Sequence, residues 1–268
     1  MKRLSVFLSV ICISLALIAA RPIPSKSNAE FWAMRAEGQK VNIVACRVAG
    51  KGVLEAEKCQ ELIKPGTIVR VSKPDFTWQQ FEISGLSHIS DETPDQGTMY
   101  FNGEYKGEAQ PAGSIRIMGA SNDTYRDIAC DWLHIKGFAA SDLKIQRLIR
   151  TDLQGDGTDE VLINFENSEW NFFPPMGSEV YSVVLLRYIR GGEVVQEAVA
   201  HDMRQKLAED PFQNLIVRYE MRNLADVDGD GVLDLLMQSS YYEGHSFYFL
   251  PVLGPNKGKA LGGWFEGV

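Results

Sequence analysis

The chain is poor in the side chains that most often carry chemistry. Its 268 residues include 4 histidines and 4 cysteines. It contains no H-E-x-x-H, no G-x-S-x-G and no C-x-x-C, so the common signatures of zinc proteases, serine hydrolases and dithiol or zinc sites are absent. Beyond residue 20 no apolar run is long enough to cross a hydrocarbon core of about 30 Å. Basic residues are outnumbered, 27 Lys and Arg against 35 Asp and Glu, for a formal net charge of −8. An acidic chain is a poor partner for nucleic acid or an anionic membrane, whose charges repel it. It is compatible with divalent cations.

The start of the chain is different. Lys2 and Arg3 precede an apolar run at 4–20, and small residues follow at "SKSNA". This is the pattern of an export signal. Ser27 and Ala29 are spaced as at a cleavage site, so cleavage is expected after Ala29, with Ala20 as the alternative. Cys12 lacks the preceding small residue that a lipoprotein site needs. Removal of 1–29 takes away Lys2, Arg3, Arg21 and Lys26 and no acid, shifting the net charge from −8 to −12. The expected location is secreted or periplasmic, with no membrane span after cleavage. In that oxidising space Cys46 and Cys59, which flank a short segment, are the first candidates for a bridge. Cys130 would then stay free on a helix flank. The alternative is three unpaired small core residues.

Residues 30–118 read as an N-terminal β-rich region. β-branched or aromatic runs at 41–48, 66–72, 78–83, 97–101 and 114–118 predict short strands bounded by Gly and Pro clusters. They suit a small barrel or the opening strands of a larger sheet. Residues 26–40 and 87–97 read as loop. The period then changes at 121–137. There Tyr125, Ile128, Ala129, Trp132 and Lys136 share one helical face, beside Leu133. Ser121, Asn122 or Asp123 can cap the helix and Gly137 can end it. His134 falls on its polar face.

Residues 119–268 contain an internal repeat. "KIQRLIRTDLQGDGTDEVLINFENSEW" (144–170) aligns without a gap to "RYEMRNLADVDGDGVLDLLMQSSYYEG" (218–244). Each copy reads as strand, acidic loop, apolar strand and aromatic tail. A hairpin follows, turned at Gly191-Gly192 in one copy and at Gly254-Pro255-Asn256 in the other. Pro251 suggests an edge strand there. Residues 201–210 suggest one or two helical turns. Repeated units usually stack to share a core, and four short strands are the content of one propeller blade. The expected fold is mainly β: repeated four-stranded antiparallel blade-like units, propeller-like or a partial propeller, with one or two short helices.

The acidic loops carry the chemistry. Asp226, Asp228 and Asp230 take positions 1, 3 and 5, Gly231 position 6, and Asp234 position 9. Val232 at position 7 can offer its carbonyl. Asp152, Gln154, Asp156, Thr158 (by its carbonyl) and Glu160 are the counterparts. Calcium takes six to eight oxygens, and alternate residues of a tight loop can converge on one centre. Without an ion the carboxylates would repel each other. An EF-hand needs a bidentate Glu at position 12, where this chain has Ile163 and Met237. With three carboxylates against four, the first site is expected to bind more weakly.

The pattern D-x-D-x-D-G-x-x-D followed by an apolar strand resembles the FG-GAP/VCBS repeats of integrin-α-like β-propellers. The resemblance covers about 144–261. It implies two calcium sites on these ten residues and a role in binding a protein or carbohydrate ligand, without catalysis. The competing expectation is a secreted or periplasmic hydrolase braced by calcium, with Glu243 and His245 of "YYEGH" as candidate groups. A deep cleft at 241–245 would favour that reading and a flat aromatic face would favour binding.

Overall fold

The computed structural model describes residues 29–35, 41–62, 67–73, 75–83, 99–101, 115–167, 172–174, 178–206, 208 and 214–267. The expected export signal, Cys12, His88 and the loop at 87–97 lie outside these residues. The described chain is mainly β, in three open antiparallel sheets. The first joins β1 (Ala29–Arg35), β2 (Val41–Val48), β3 (Gly52–Glu55), β4 (Thr67–Ser72), β5 (Trp78–Ile83) and β6 (Met99–Phe101), in the order β3-β2-β1-β6-β4-β5. The second joins β7 (Arg116–Met118), β8 (Leu143–Thr151), β9 (Glu160–Asn167), β10 (Val180–Arg190) and β11 (Glu193–Arg204), in the order β11-β10-β9-β8-β7. The third is β12 (Arg218–Ala225), β13 (Asp234–Tyr241), β14 (Gly244–Leu250) and β15 (Leu261–Gly267), paired in chain order. Each repeat copy therefore forms a four-stranded antiparallel meander, β8–β11 and β12–β15.

One α-helix, α1 (Asp123–Ile135), stands among the described residues, with a 3₁₀ helix at Ala56–Leu62. Asn122 caps α1 by accepting the Tyr125 N–H, and Gly137 leaves it at φ +85°, an angle that suits glycine. Ala129, Trp132 and Leu133 are buried and His134 is exposed, as the helical period requires.

Three clusters order the layers. Ala129, Trp132 and Leu133 of α1 meet Ile145, Leu148, Val161, Ile163, Phe165, Val183 and Leu185 on one face of the second sheet. The other face, with Ile149, Leu162, Val184 and Leu186, packs on Met221, Leu224, Leu235, Met237 and Leu250 of the third. The far side of the third, with Ala225, Leu236, Phe247 and Phe249, meets Trp32, Val44, Ala45 and Met99 of the first. Strands β9 and β13 are thus covered on both faces, which explains why Val161–Phe165 and Leu235–Met237 lack polar alternation. Buried asparagines tie the layers. Asn164 donates to Tyr219 O at 2.9 Å and accepts from Met221 N at 3.1 Å. Asn223 donates to Ser72 O at 3.3 Å.

Several expectations need correction. Residues 29–35 are not loop but strand β1, inside the first sheet. The register slips between Trp32 and Ala33, and Phe31, Trp32 and Ala33 are all buried. The extra residue at the slip is Val44 of β2, and three consecutive buried residues in β1 erase the period of two that marks a half-buried strand. Residues 201–204 are the end of β11, not helical turns. Pro251 is not in an edge strand. β14 pairs on both sides, and it ends at Leu250, before a residue that cannot donate to a ladder. The return strand starts only at Leu261. The bridge at Cys46–Cys59 is formed, with Cα atoms 5.9 Å apart, and Cys130 is free on the flank of α1.

Candidate metal centre

Both acidic loops join the first two strands of their meander, β8 to β9 and β12 to β13. The ladder ends at equivalent pairs, Thr151↔Glu160 and Ala225↔Asp234. Three hydrogen bonds recur. The position-1 carboxylate accepts the position-4 N–H, from Gly155 to Asp152 at 2.6 Å and from Gly229 to Asp226 at 2.8 Å. The position-5 carboxylate accepts the position-7 N–H, from Thr158 to Asp156 at 2.8 Å and from Val232 to Asp230 at 2.7 Å. The position-9 acid accepts the position-2 N–H, from Leu153 to Glu160 at 2.7 Å and from Val227 to Asp234 at 2.9 Å. Glycines at positions 4 and 6 have φ between +71° and +96° in both loops, so the turn needs a residue without a Cβ.

The position-9 acids are the buried members, Glu160 at 2% exposure and Asp234 at 1%. Burial pushes the Glu160 carboxyl up to about 7; the Leu153 N–H pulls it down, and Asp152 and Asp156 add repulsion. Burial likewise pushes Asp234 up to about 7, against the Val227 N–H and with repulsion from Asp228, Asp226 and Asp230. A divalent cation would hold both ionised by supplying the missing opposite charge.

The loops differ in convergence. Oxygens of Asp226, Asp228 and Asp234 lie within 4.8 Å of one another, the one such group of three acids among the described residues. Asp230 stands outside it; its Oδ2 lies where a Cβ on Gly254 would come within 2.6 Å. In the first loop Asp152 is drawn into the turn. Its Oδ1 accepts from Gly155 and from Asp156 (3.0 Å), and its Oδ2 from Gly157 (2.7 Å). Gln154, the counterpart of Asp228, is exposed.

Three distant segments enclose the second loop, and none was legible as part of it. Asn256 Nδ2 donates to Asp228 Oδ2 at 2.7 Å. Arg47 of β2 lies over Gly229, reaches the Asp226 carbonyl at 3.5 Å, and is ion-paired to Glu30. The Leu233 N–H donates to the Leu153 carbonyl at 2.9 Å, joining one acidic loop to the other. Asn256 was visible only as a turn residue, and Arg47 carried no signal at all.

The tail "YYEGH" is the tight β13–β14 turn, where Tyr241 pairs with Gly244. The His245 ring lies edge-on to Phe247 (5.2 Å) and Trp264 (5.9 Å). Tyr241 stacks on Phe265 at 5.9 Å, and Tyr242 meets Phe173 of the first copy at 4.7 Å. Tyr242 and Phe265 are 56% and 54% exposed, so the two aromatic tails meet in one surface patch. Among the described residues no helix is long and apolar enough to cross a membrane. No protein-family model, curated protein or solved structure matches this chain.

Proposed function

We propose that this is an exported calcium-binding β-repeat protein of the FG-GAP/VCBS type, serving as a binding module without catalysis of its own. The convergence of Asp226, Asp228 and Asp234 carries the reading. A hard cation would relieve the repulsion of three carboxylates so close, and calcium suits an all-oxygen site of this kind. The first loop shares the skeleton and is proposed as a second, weaker site. The ligands are those named from the sequence: Asp226, Asp228, Asp230, Val232 and Asp234, and Asp152, Gln154, Asp156, Thr158 and Glu160. The two meanders are read as blades of a partial propeller, with α1 covering the face that a further blade would take. The patch of Phe173, Tyr241, Tyr242 and Phe265 supports binding over hydrolysis, since His245 faces aromatic rings. A protein or carbohydrate ligand suits it.

A thermal melt with calcium and with chelator tests this reading. A cation that binds only the folded chain raises stability by mass action. Extracellular modules bind calcium at about 10⁻⁴–10⁻³ M, so the melting temperature should climb through that range. An unchanged melt across millimolar calcium would sink the metal assignment.

A further inference from the structure

On the face of the second sheet that carries α1, one cross-strand row borders the helix cluster and joins it at Val161. The register runs Arg116 (β7), Arg150 (β8), Val161 (β9), Arg187 (β10) and Gln196 (β11). Residues directly opposite one another point to the same face, so three arginines share one row. At about 4.8 Å per strand the row spans about 14 Å from Arg116 to Arg187. Like charges opposed on neighbouring strands repel, and this row persists in an acidic chain.

One carboxylate answers two of the three guanidiniums. Asp159 Oδ2 accepts from Arg150 Nε at 2.9 Å and from an Arg116 amino group. Arg187 has no such partner among the described residues, and its Nε is buried without a hydrogen bond. A buried donor left without a partner is destabilising, more so when it is charged. Next to the row Ile189 and Val194, opposed across β10 and β11, are 54% and 51% exposed.

We propose that this row docks a carboxylate-bearing polysaccharide, a polyuronate, whose successive acid groups meet successive arginines. Asp159 shows the chemistry in miniature, since a carboxylate is already seated between Arg116 and Arg150. Guanidinium forks favour planar carboxylates. Strands β8, β9 and β10 are paired on both sides, so an acidic peptide cannot add here as a strand. The row holds no aromatic ring for stacking nucleic-acid bases. Exposed Ile189 and Val194 offer aliphatic surface to sugar C–H groups. The choice of a polysaccharide rests on the proposed export, but the arginine chemistry does not require either loop to hold calcium.

The test is titration calorimetry at fixed calcium with a galacturonate hexamer, a neutral galactose hexamer and hexaglutamate. The uronate should bind, more weakly as salt rises, and the neutral sugar should not. Arg187→Gln should lower uronate affinity at least tenfold. Arg190→Gln, exposed on the opposite face of β10, should leave it unchanged. Should Arg187→Gln fail to fold, Arg187→Lys keeps the charge but loses the fork, and should bind at least threefold more weakly. Wild-type affinity in the folded Arg187 variant, an equal loss in Arg190→Gln, or tighter binding of hexaglutamate would each overturn the proposal. The calcium melt reads the metal assignment separately, so either idea can fail alone.

Discussion

Loop 152–160 and loop 226–234 make the same three backbone-to-carboxylate bonds, yet only the second gathers three acids within 4.8 Å. The difference has two sources. One is composition: Gln154 stands where the second copy has Asp228. The other is support. Asn256 and Arg47 contact the second loop from distant segments, whereas Asp152 satisfies its own turn with both oxygens. A shared skeleton therefore does not make equal sites. Preorganisation by distant segments decides how many carboxylates face one point.

The largest expected effect breaks the comparison directly. Asp226→Ala should remove most of the calcium-linked stabilisation, about 2.7 kcal/mol at calcium a hundredfold above the dissociation constant. Asp152→Ala should remove clearly less, as read from melts with and without calcium. Equal losses would mean that the loops are equivalent despite their surroundings. Asp230→Ala against Asp156→Ala should rank the same way.

Next in size is a pair at the interface of the meanders. Asn164 of β9 bonds across to β12, whereas its repeat counterpart Gln238 bonds Arg222 and Ser240 within its own sheet. Asn164→Ala should cost about 2–3 kcal/mol, because it strands the buried Met221 N–H, and Gln238→Ala about 1 kcal/mol. Urea denaturation of both variants measures this. A Gln238→Ala cost at or above that of Asn164→Ala would deny the interlayer role.

A smaller, graded effect sharpens the electrostatic side. Glu160 and Asp234 have ordinary values of 4.5 and 3.8 and rise to about 7 when folded. The folded state thus holds these protons more tightly than the unfolded chain. Their contribution is fully present below about 4 and is lost as pH climbs through about 7. In chelator, stability should therefore fall from pH 5 to 8. The increment added by calcium should grow over the same range, since cation and proton compete. Glu160→Gln and Asp234→Asn should each flatten the chelator profile. A profile that rises with pH in chelator and is unaltered by either variant would refute the buried-carboxyl account.

Legibility followed locality. The helix face of α1, strand β2, the Gly191-Gly192 hairpin and the Cys46–Cys59 bridge depend on neighbours close in sequence, and each was readable. Strand β1 was not, because Phe31, Trp32 and Ala33 are buried in succession and lack the alternation that marks a half-buried strand. The end of β14 was missed because Pro251 admits two readings until the pairing on both sides is known. The arginine row was invisible: Arg116, Arg150 and Arg187 are scattered along the chain and meet only through strand register.

By itself the sequence determined the repeat, the meander of each copy and the positions of every loop acid, because turns, periodicity and glycine angles are local properties. Tertiary structure decided which loop converges, which faces of β9 and β13 are covered, and that Arg47, Asn256 and Leu153 stand beside the acids. Those depend on packing between segments up to 179 residues apart, and no pattern within one segment encodes what another segment will press against it.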